Sequence, residues 1–265
     1  MQARDFCLLP KETVLQGLKA GVCIVALLVC ASSSVWAQGS PPLITDDTGT
    51  PGNNLWEINV GGTSELRHPD ERQFEAPILD MNYGIGENIE LSYQLPLLVT
   101  ANRDEPSLTG LGDSVVGTKW RFLDEDKDSI SMSIYPQFTF NNPTSSVRRG
   151  LVADDQQFFL PLELEKTIGP IDLDFEAGHG FHFNAPDEWD YGVVAGHSFG
   201  DFELMGEVHG TALDHFQQDD LVVNIGARYQ ISKGYALLLS AGRSIHSDNT
   251  PCATFLSYTG IQFTF

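Results

Sequence analysis

Basic residues are scarce in this 265-residue chain, and long apolar runs are absent beyond its first thirty residues. Lysine and arginine number 15 against 36 aspartates and glutamates, so the formal net charge is −21. A chain this acidic is not expected to bind nucleic acid or anionic phosphate surfaces. Because no later apolar stretch has the length of a membrane-spanning helix, the rest of the chain is predicted either to be soluble or to cross a membrane as a barrel.

Cysteine is nearly absent as well. Three of the four cysteines lie within the first thirty residues, which leaves Cys252 alone. No internal disulfide is therefore expected beyond that N-terminal segment. No metal ion or other cofactor is predicted.

The first 37 residues have the pattern of a secretory signal peptide. Three basic residues precede an apolar run over residues 20–30, and Val35 and Ala37 fit a signal-peptidase site, so cleavage is predicted after Ala37. A lipid anchor at Cys30 is the disfavoured alternative, because Val29 stands where a small residue is needed.

From Leu55 onward the chain alternates apolar and polar residues over segments of about ten residues. Leu79, Met81 and Tyr83, for example, alternate with Asp80 and Asn82. The last such segment ends in an aromatic residue, Phe265, as the closing strand of an outer-membrane barrel does. The predicted fold is all-β: a transmembrane antiparallel up-and-down barrel of about 12 strands with both termini periplasmic. The predicted organisation is a signal peptide (1–37), a periplasmic N-terminal lead-in (38–54) and the barrel domain (55–265).

Connections between the predicted strands alternate between short and long, as periplasmic turns and extracellular loops do. The short ones are residues 84–88, 124–128, 167–170, 200–201 and 232–234; the long ones are residues 67–72, 101–110, 141–157, 184–187, 214–219 and 247–252. The longest, 141–157, is predicted to be extracellular and to fold over the barrel mouth.

A soluble β-sandwich is the alternative fold, because alternation alone also describes its strands. Three charged or titratable residues fall on the predicted lipid face. His197 and Arg243 lie near strand ends, where a polar side chain reaches water easily. His179 lies between two glycines, and a bulge is expected to redirect it.

Carboxylates dominate the predicted lumen face. The residues predicted to line the lumen or pore are Glu163, Glu165, Asp172, Asp174, Glu176, Glu203, Glu207, Lys119, Arg121 and Arg228. Two interpretations stay open: a hydrated wall without further role, and a pore lining that attracts cations.

Three motifs that resemble catalytic or metal sites are rejected. Residues 196–200 match Gly-x-Ser-x-Gly, but a strand is predicted to follow Gly200 where a nucleophile elbow needs a helix. His179 and His182 are three residues apart in a strand and therefore point to opposite faces. Residues 124–128 begin like a calcium loop, but Ser129 replaces the required glycine, so a solvated turn is predicted.

Several segments resemble the MetA-pathway of phenol degradation family. They are residues 42–52 with 56–59, residues 86–93, and residues 110–113 with Gly117, Lys119 and 120–122. The resemblance covers the chain after the signal peptide. It implies an outer-membrane barrel with transporter-like function and an association with aromatic degradation, and it carries no catalytic residues. The Asp and Thr side chains of residues 45–48 are predicted to hold a tight local conformation, in a lead-in or short plug at the barrel base.

The leading hypothesis is an outer-membrane channel for passive uptake of small solutes, hydrophobic or aromatic ones among them, in a Gram-negative bacterium, and not an enzyme. A non-conducting barrel used for anchoring or surface interaction is the second hypothesis, and an outer-membrane hydrolase is the third. The expected partners are the lipid bilayer, an unidentified small solute, and the barrel-assembly machinery, which would recognise the strand that ends at Phe265. No nucleic acid is expected.

Overall fold

The computed structural model describes residues 41–67, 71–102, 106–215, 217–248 and 252–265. The predicted signal peptide, residues 1–37, and the alternative anchor at Cys30 lie outside the described residues. Among the described residues, no helix is long and apolar enough to span a membrane.

The β-segments of the chain form a single closed antiparallel sheet. They are β1 (Trp56–Arg67), β2 (Glu71–Ile85), β3 (Ile89–Asn102), β4 (Leu108–Leu111), β5 (Ser114–Leu123), β6 (Ser131–Ile134), β7 (Gln137–Phe140), β8 (Gln157–Ile168), β9 (Ile171–His182), β10 (Glu188–Phe199), β11 (Phe202–Leu213), β12 (Gln217–Ser232), β13 (Tyr235–Ser247) and β14 (Ala253–Thr264). β4 and β5 together take the place of one strand, and so do β6 and β7. The result is a closed 12-strand barrel, which confirms the predicted fold class.

The barrel closes where its first and last strands meet. β1 pairs with β14 from Glu57 opposite Thr264 to Arg67 opposite Ala253. At the end of this seam, the Trp56 N–H donates to the Phe265 carbonyl at 2.8 Å, and the Phe265 N–H donates to the Trp56 carbonyl at 3.0 Å. The sheet therefore has no free edge between these strands.

The polarity of the wall is inverted relative to that of a water-soluble protein. On β8, Leu160 and Leu162 point outward and are 42% and 45% exposed, whereas Glu163 points inward and is fully buried. A soluble sandwich gains its stability by burying its apolar face, so it cannot leave this face uncovered. An apolar outer face with a polar interior is the arrangement of a barrel that spans a membrane.

One predicted strand is interrupted. The sequence predicts a continuous fifth strand over residues 130–138, but the structure breaks it into β6 and β7 at Tyr135 and Pro136. Proline has no N–H to contribute to the ladder. The inward and outward alternation nevertheless continues across the break, since Ser133, Tyr135 and Gln137 are all buried.

Short turns occupy the barrel end that carries Trp56 and Phe265, and longer connections occupy the other end. The connection after β5 contains a single helical turn, α1 (Glu125–Asp128), whose N-cap Asp124 accepts from the Asp126 N–H. A hydrogen bond from the Lys127 ammonium lowers the pKa of Asp124, and one from Lys166 lowers that of Glu125. This connection is thus a capped, charge-paired turn.

The longest connection, residues 141–157, folds back against the inner face of the wall. It contains α2 (Thr144–Arg148), and its Leu151 and Val152 form a buried cluster with Leu98 of β3. The Ser146 hydroxyl donates to the Leu111 carbonyl at 2.7 Å. Its assignment to the extracellular side stays a prediction.

The bulge expected at His179 is absent. β9 pairs with β8 and β10 without a register shift there, with His179 opposite both Leu160 and Trp189. The expectation was wrong because the ring pairs with a carboxylate and packs on Phe181 and Trp189 where it stands. His179 keeps its outward direction, and its Nε2 lies 3.2 Å from an Asp214 carboxylate oxygen.

Candidate functional site

The candidate site is the interior of the barrel. The ten residues predicted to line a lumen all lie on the inward face of their strands: Lys119 and Arg121 on β5, Glu163 and Glu165 on β8, Asp172, Asp174 and Glu176 on β9, Glu203 and Glu207 on β11, and Arg228 on β12. They do not face an empty channel, because part of the chain itself lies among them.

Residues 41–52, called the inner segment below, cross the interior. The sequence assigns them to the lead-in. In the structure Leu43, Thr45, Asp46 and Thr48 are buried. The segment begins against β13, where the Ser240 hydroxyl donates to the Pro42 carbonyl at 2.6 Å. It then passes β12, β11, β10, β9 and β8 and reaches β5 on the far side.

Lys119 is the main cationic contact of the inner segment. Its Nζ lies 2.9 Å from an Asp46 carboxylate oxygen, donates to the Asp47 carbonyl at 2.6 Å, and lies 3.8 Å from Glu163. It also sits 4.8 Å from the centre of the Tyr135 ring. With only 2% of its side chain exposed, this ammonium depends on these partners to offset its loss of water.

Glu207 holds the start of the inner segment through its backbone. One carboxylate oxygen accepts from the N–H groups of Ile44 at 3.0 Å and Thr45 at 2.5 Å. The other oxygen accepts from the Asn224 amide at 2.5 Å. A buried carboxylate can be stabilised by several N–H donors of this kind.

Two further carboxylates of the wall bind the middle of the segment. Glu176 accepts from the Asp46 N–H at 3.1 Å, and Glu165 accepts from the Thr48 hydroxyl at 2.6 Å. Four predicted lining residues, Lys119, Glu165, Glu176 and Glu207, thus bind the chain's own N-terminal part.

Other predicted lining residues have partners elsewhere among the described residues, or are partly exposed. Arg228 lies 3.9 Å from Glu203 across β11 and β12. Arg121 donates to the Glu87 carbonyl at 2.8 Å in the turn between β2 and β3. Asp172 and Asp174 are partly exposed on the inward face of β9.

Inward glycines make room for the inner segment. A Cβ placed on Gly192 would come within 1.9 Å of the Thr45 hydroxyl, and one on Gly84 within 1.9 Å of the Gly52 carbonyl. Neither position can carry a side chain while the segment stays where it is. These glycines therefore define its path along the wall.

Two cavities adjoin the inner segment. The larger, of about 210 Å³, is strongly polar, and Glu57, Asp80, Glu90 and Arg228 are among its lining residues. The smaller, of about 60 Å³, is bounded by Leu43, Glu65, Glu75 and Tyr258. Because Glu57 and Glu65 lie at opposite ends of β1, the segment separates a cavity near the short turns from one nearer the long connections.

The rejected motifs are placed as follows. β11 begins two residues after Gly200, so the expected strand, and no helix, follows the Gly-x-Ser-x-Gly match. His197 Nδ1 contacts the Pro170 carbonyl and its ring packs on Phe199, on the outer face. His182 points inward to Asp155 and Glu188, opposite to His179. Cys252 is buried.

Sequence reasoning missed most of the inner segment's partners. Asp46, Thr48, His209 and Asn224 were not predicted to meet. Thr45 Oγ1 lies 3.4 Å from His209 Nδ1, for example, although the two residues are 164 positions apart. One signal was present: residues 235–239 are apolar on both faces, and the inward Leu238 packs with Ala236 and Tyr258 in the interior.

Solved structures that share this fold are outer-membrane barrels. The COG4313 outer membrane channel from Pseudomonas putida F1 is similar with a TM-score of 0.62 and 13% identity, over 81% of this chain and 96% of that one. The NanC porin is similar with a TM-score of 0.58 and 7% identity, over 78% and 98%. The KdgM porin, solved in complex with disordered oligogalacturonate, has a TM-score of 0.54 and 10% identity, over 78% and 99%.

At these identities the likeness establishes the fold alone. No protein-family description and no curated protein matches the sequence. The resemblance to the phenol-degradation family therefore stays a prediction.

Proposed function

We propose that the protein is an outer-membrane channel for the passive entry of small cationic or neutral solutes. The observation that carries this proposal is the inverted polarity of the wall, with Glu163, Glu176 and Glu207 buried inside an apolar outer surface. A barrel that served only as an anchor could fill its interior with packed apolar side chains. This interior instead holds polar groups and a polar cavity of about 210 Å³.

The charge of the interior supports the solute class. The cavity near the short turns is lined by Asp46, Asp47, Glu57, Asp80 and Glu90, against the two cations Lys119 and Arg228. A negative wall in a low-dielectric surround attracts cations and repels anions. An acidic sugar chain such as the oligogalacturonate seen in the KdgM porin would meet too few basic groups here.

Passage of a solute requires the inner segment to move. The segment is held by hydrogen bonds and one ion pair rather than by a large apolar core. Hydrogen bonds to charged groups, as these are, contribute roughly 1.5–3 kcal/mol each net, because water replaces them when they break. The described arrangement therefore corresponds to a closed state from which the segment can be released.

The decisive experiment is conductance in planar bilayers, comparing the wild type with a variant that lacks residues 42–51. We expect rare or small conductance steps from the wild type and larger, longer steps from the deletion variant. Asp124→Asn, in the turn outside the interior, is the control and should conduct like the wild type. Circular dichroism and resistance to unfolding in detergent establish that each variant is a barrel.

A non-conducting barrel is the second candidate, and the many contacts of the inner segment favour it. A deletion variant that keeps its barrel but passes no current would support this candidate and overturn the channel. The hydrolase is the third candidate. His197 points outward beside Phe199, away from the inward residues of β10, so the Ser198 and His197 pair has no shared face. Ester hydrolysis that disappears in Ser198→Ala would revive it.

The proposal also covers the partners and the location of the protein. The exposed apolar outer face supports contact with the outer-membrane bilayer, and the strand ending at Phe265 is proposed to bind the barrel-assembly machinery after signal-peptide-dependent export. An aromatic solute is proposed from the family resemblance. Liposome-swelling rates for matched aromatic amines, neutral aromatics and aromatic acids test it, and fastest entry of the acids would contradict the proposed solute class.

A further inference from the structure

Three potential metal ligands converge on the outer face of the barrel, at the end with the long connections. They are His179 of β9, Asp187 just before β10, and Asp214 just after β11. One ligand atom from each lies within 4.8 Å of the other two, and the His179 Nε2 to Asp214 Oδ1 distance is 3.2 Å. Residues from three adjacent strand ends thus meet at one point.

The side chains of His179 and Asp187 and the backbone of Asp214 are held in place by their surroundings. The His179 ring packs on Phe181 and Trp189, with ring centroids 4.5 Å and 4.6 Å apart. An Asp187 carboxylate oxygen accepts the His182 N–H at 2.9 Å, and the Asp214 N–H donates to the Asp187 carbonyl at 3.1 Å. Ligands oriented by such neighbours lose little freedom when they bind an ion.

A simple ion pair does not account for this arrangement. One carboxylate is enough to partner one imidazole, yet two carboxylates approach the same ring. Two like charges this close repel one another unless a cation lies between them. One nitrogen and two oxygen ligands, with water completing the shell, suit a divalent transition-metal ion.

We propose that His179, Asp187 and Asp214 form a binding site for a divalent transition-metal ion, with Zn²⁺ as the fitting ion. Zinc–ligand bonds of about 2.0–2.2 Å require ligand atoms roughly 3.3 Å apart, so the cluster contracts slightly on binding. The ion neutralises the two carboxylates and ties the connection between β9 and β10 to the end of β11. The site lies on the outer face and does not depend on the barrel conducting.

A second group on the same rim, Asp219, His246 and Asp248, is a weaker arrangement. His246 is 36% exposed, and its Nε2 lies 3.4 Å and 3.8 Å from the two carboxylates. We propose no metal site there, but metal binding at this group must be distinguished from binding at the first group in any measurement.

Trp189 provides a local signal for the test. Trp56 and Trp120 lie near the opposite end of the barrel, since Trp56 pairs with Tyr83 and Trp120 with Ile89, beside the turn between β2 and β3. In the signal-peptide-cleaved protein with Trp56→Phe and Trp120→Phe, Trp189 is the remaining tryptophan. Co²⁺ bound at His179 should quench its fluorescence, and Zn²⁺ should displace Co²⁺ and restore it.

Variants of the full-length mature barrel identify the ligands. His179→Gln and Asp214→Asn should each weaken Co²⁺ quenching by more than about tenfold in affinity. His246→Gln removes the second group and should leave the quenching unchanged. His197→Gln is the matched control, because this outward histidine also packs on an aromatic ring, 4.2 Å from Phe199, at the other rim.

The proposal is overturned by three results: no saturable quenching in the starting protein, equal affinity in His179→Gln, or an equal loss in His246→Gln. Detergent-resistant migration and Trp189 emission without metal establish that each variant keeps its fold. Should His179→Gln fail this check, Asp214→Asn alone decides the outcome, because the Asp214 side chain is half exposed and its substitution disturbs little packing.

Discussion

Lys119 joins the inner segment to the barrel wall. Among the described residues it is the largest side chain that is fully buried. Its partners come from two different parts of the chain, Asp46 of the inner segment and Glu163 of the wall. Removing one member of a buried charge pair costs more than the pair contributes, because the other charge stays buried without compensation.

We expect Lys119→Met to destabilise the barrel with its inner segment by about 3–5 kcal/mol. Thermal unfolding in detergent measures the change. Lys127→Met is the control: Lys127 also pairs with an aspartate, Asp124, but is 67% exposed, and its loss should leave the midpoint unchanged. In the double variant Lys119→Met with Asp46→Asn, part of the loss should be recovered. Additive effects of the two substitutions would contradict a direct pairing.

At the scale of elements, the barrel consists of a regular wall and an irregular inner segment that fits it. The structure of the wall follows from paired strands whose side chains alternate between the two faces every two residues. The path of the inner segment is set by individual contacts and by the space left at Gly192 on β10.

We expect Gly192→Ala to displace the inner segment near Thr45. The added methyl group would lie 1.9 Å from the Thr45 hydroxyl, so the segment must shift, at a cost of about 1–3 kcal/mol. Gly206→Ala on the neighbouring strand β11 is the matched control, because nothing lies within 4 Å of its Cβ position. Unfolding midpoints and single-channel currents compare the two. Equal behaviour would mean that the segment does not lie against β10.

The connection of residues 141–157 offers a test of orientation. Its buried Leu151 and Val152 anchor it to the wall, while Arg148 and Arg149 stay exposed. We expect trypsin added to intact cells to cut after these arginines and to leave Lys127 uncut. Cleavage at Lys127 with protection of residues 148–149 would show that the barrel is inserted the other way.

The wall could be predicted from the sequence because its signal is local and periodic, as in β8 and β9. The break at Pro136 has a local cause, the missing N–H of proline. It was not predicted because the alternation of polar and apolar residues continues through this position. The inner segment could not be predicted in detail. Its contacts, such as that of Thr45 with Glu207, join residues 162 positions apart and follow no repeat.

At the scale of the whole molecule, charge is sorted by position. The outer wall is largely apolar, the lumen is proposed to be acidic, and Lys119, Arg121 and Arg228 are the basic residues predicted in it. Such an interior creates a negative potential that extends along the barrel axis.

We expect currents through the open barrel to be cation-selective, less so at high salt, because dissolved ions screen the wall. The reversal potential under a salt gradient measures this selectivity in the variant that lacks residues 42–51. Neutralising the wall by Asp172→Asn, Asp174→Asn and Glu176→Gln together should reduce it. Neutralising Asp124, Asp126 and Asp128 in the turn removes the same charge outside the lumen and should not. Anion preference, or no effect of the first triple variant, would exclude these carboxylates from the path.

The seam between β1 and β14 has a consequence for the order of assembly. The inner segment is joined to β1 by only residues 53–55, and the ring that surrounds it closes through that same strand. If the ring closed first, the segment would have to be inserted afterwards through one end, past the side chains that later bind it. Enclosure is simpler when β8 to β13 curve around the segment before Phe265 reaches Trp56. The inner segment would then serve as a template for barrel closure, and its deletion would slow insertion into the membrane even where the finished wall is unchanged.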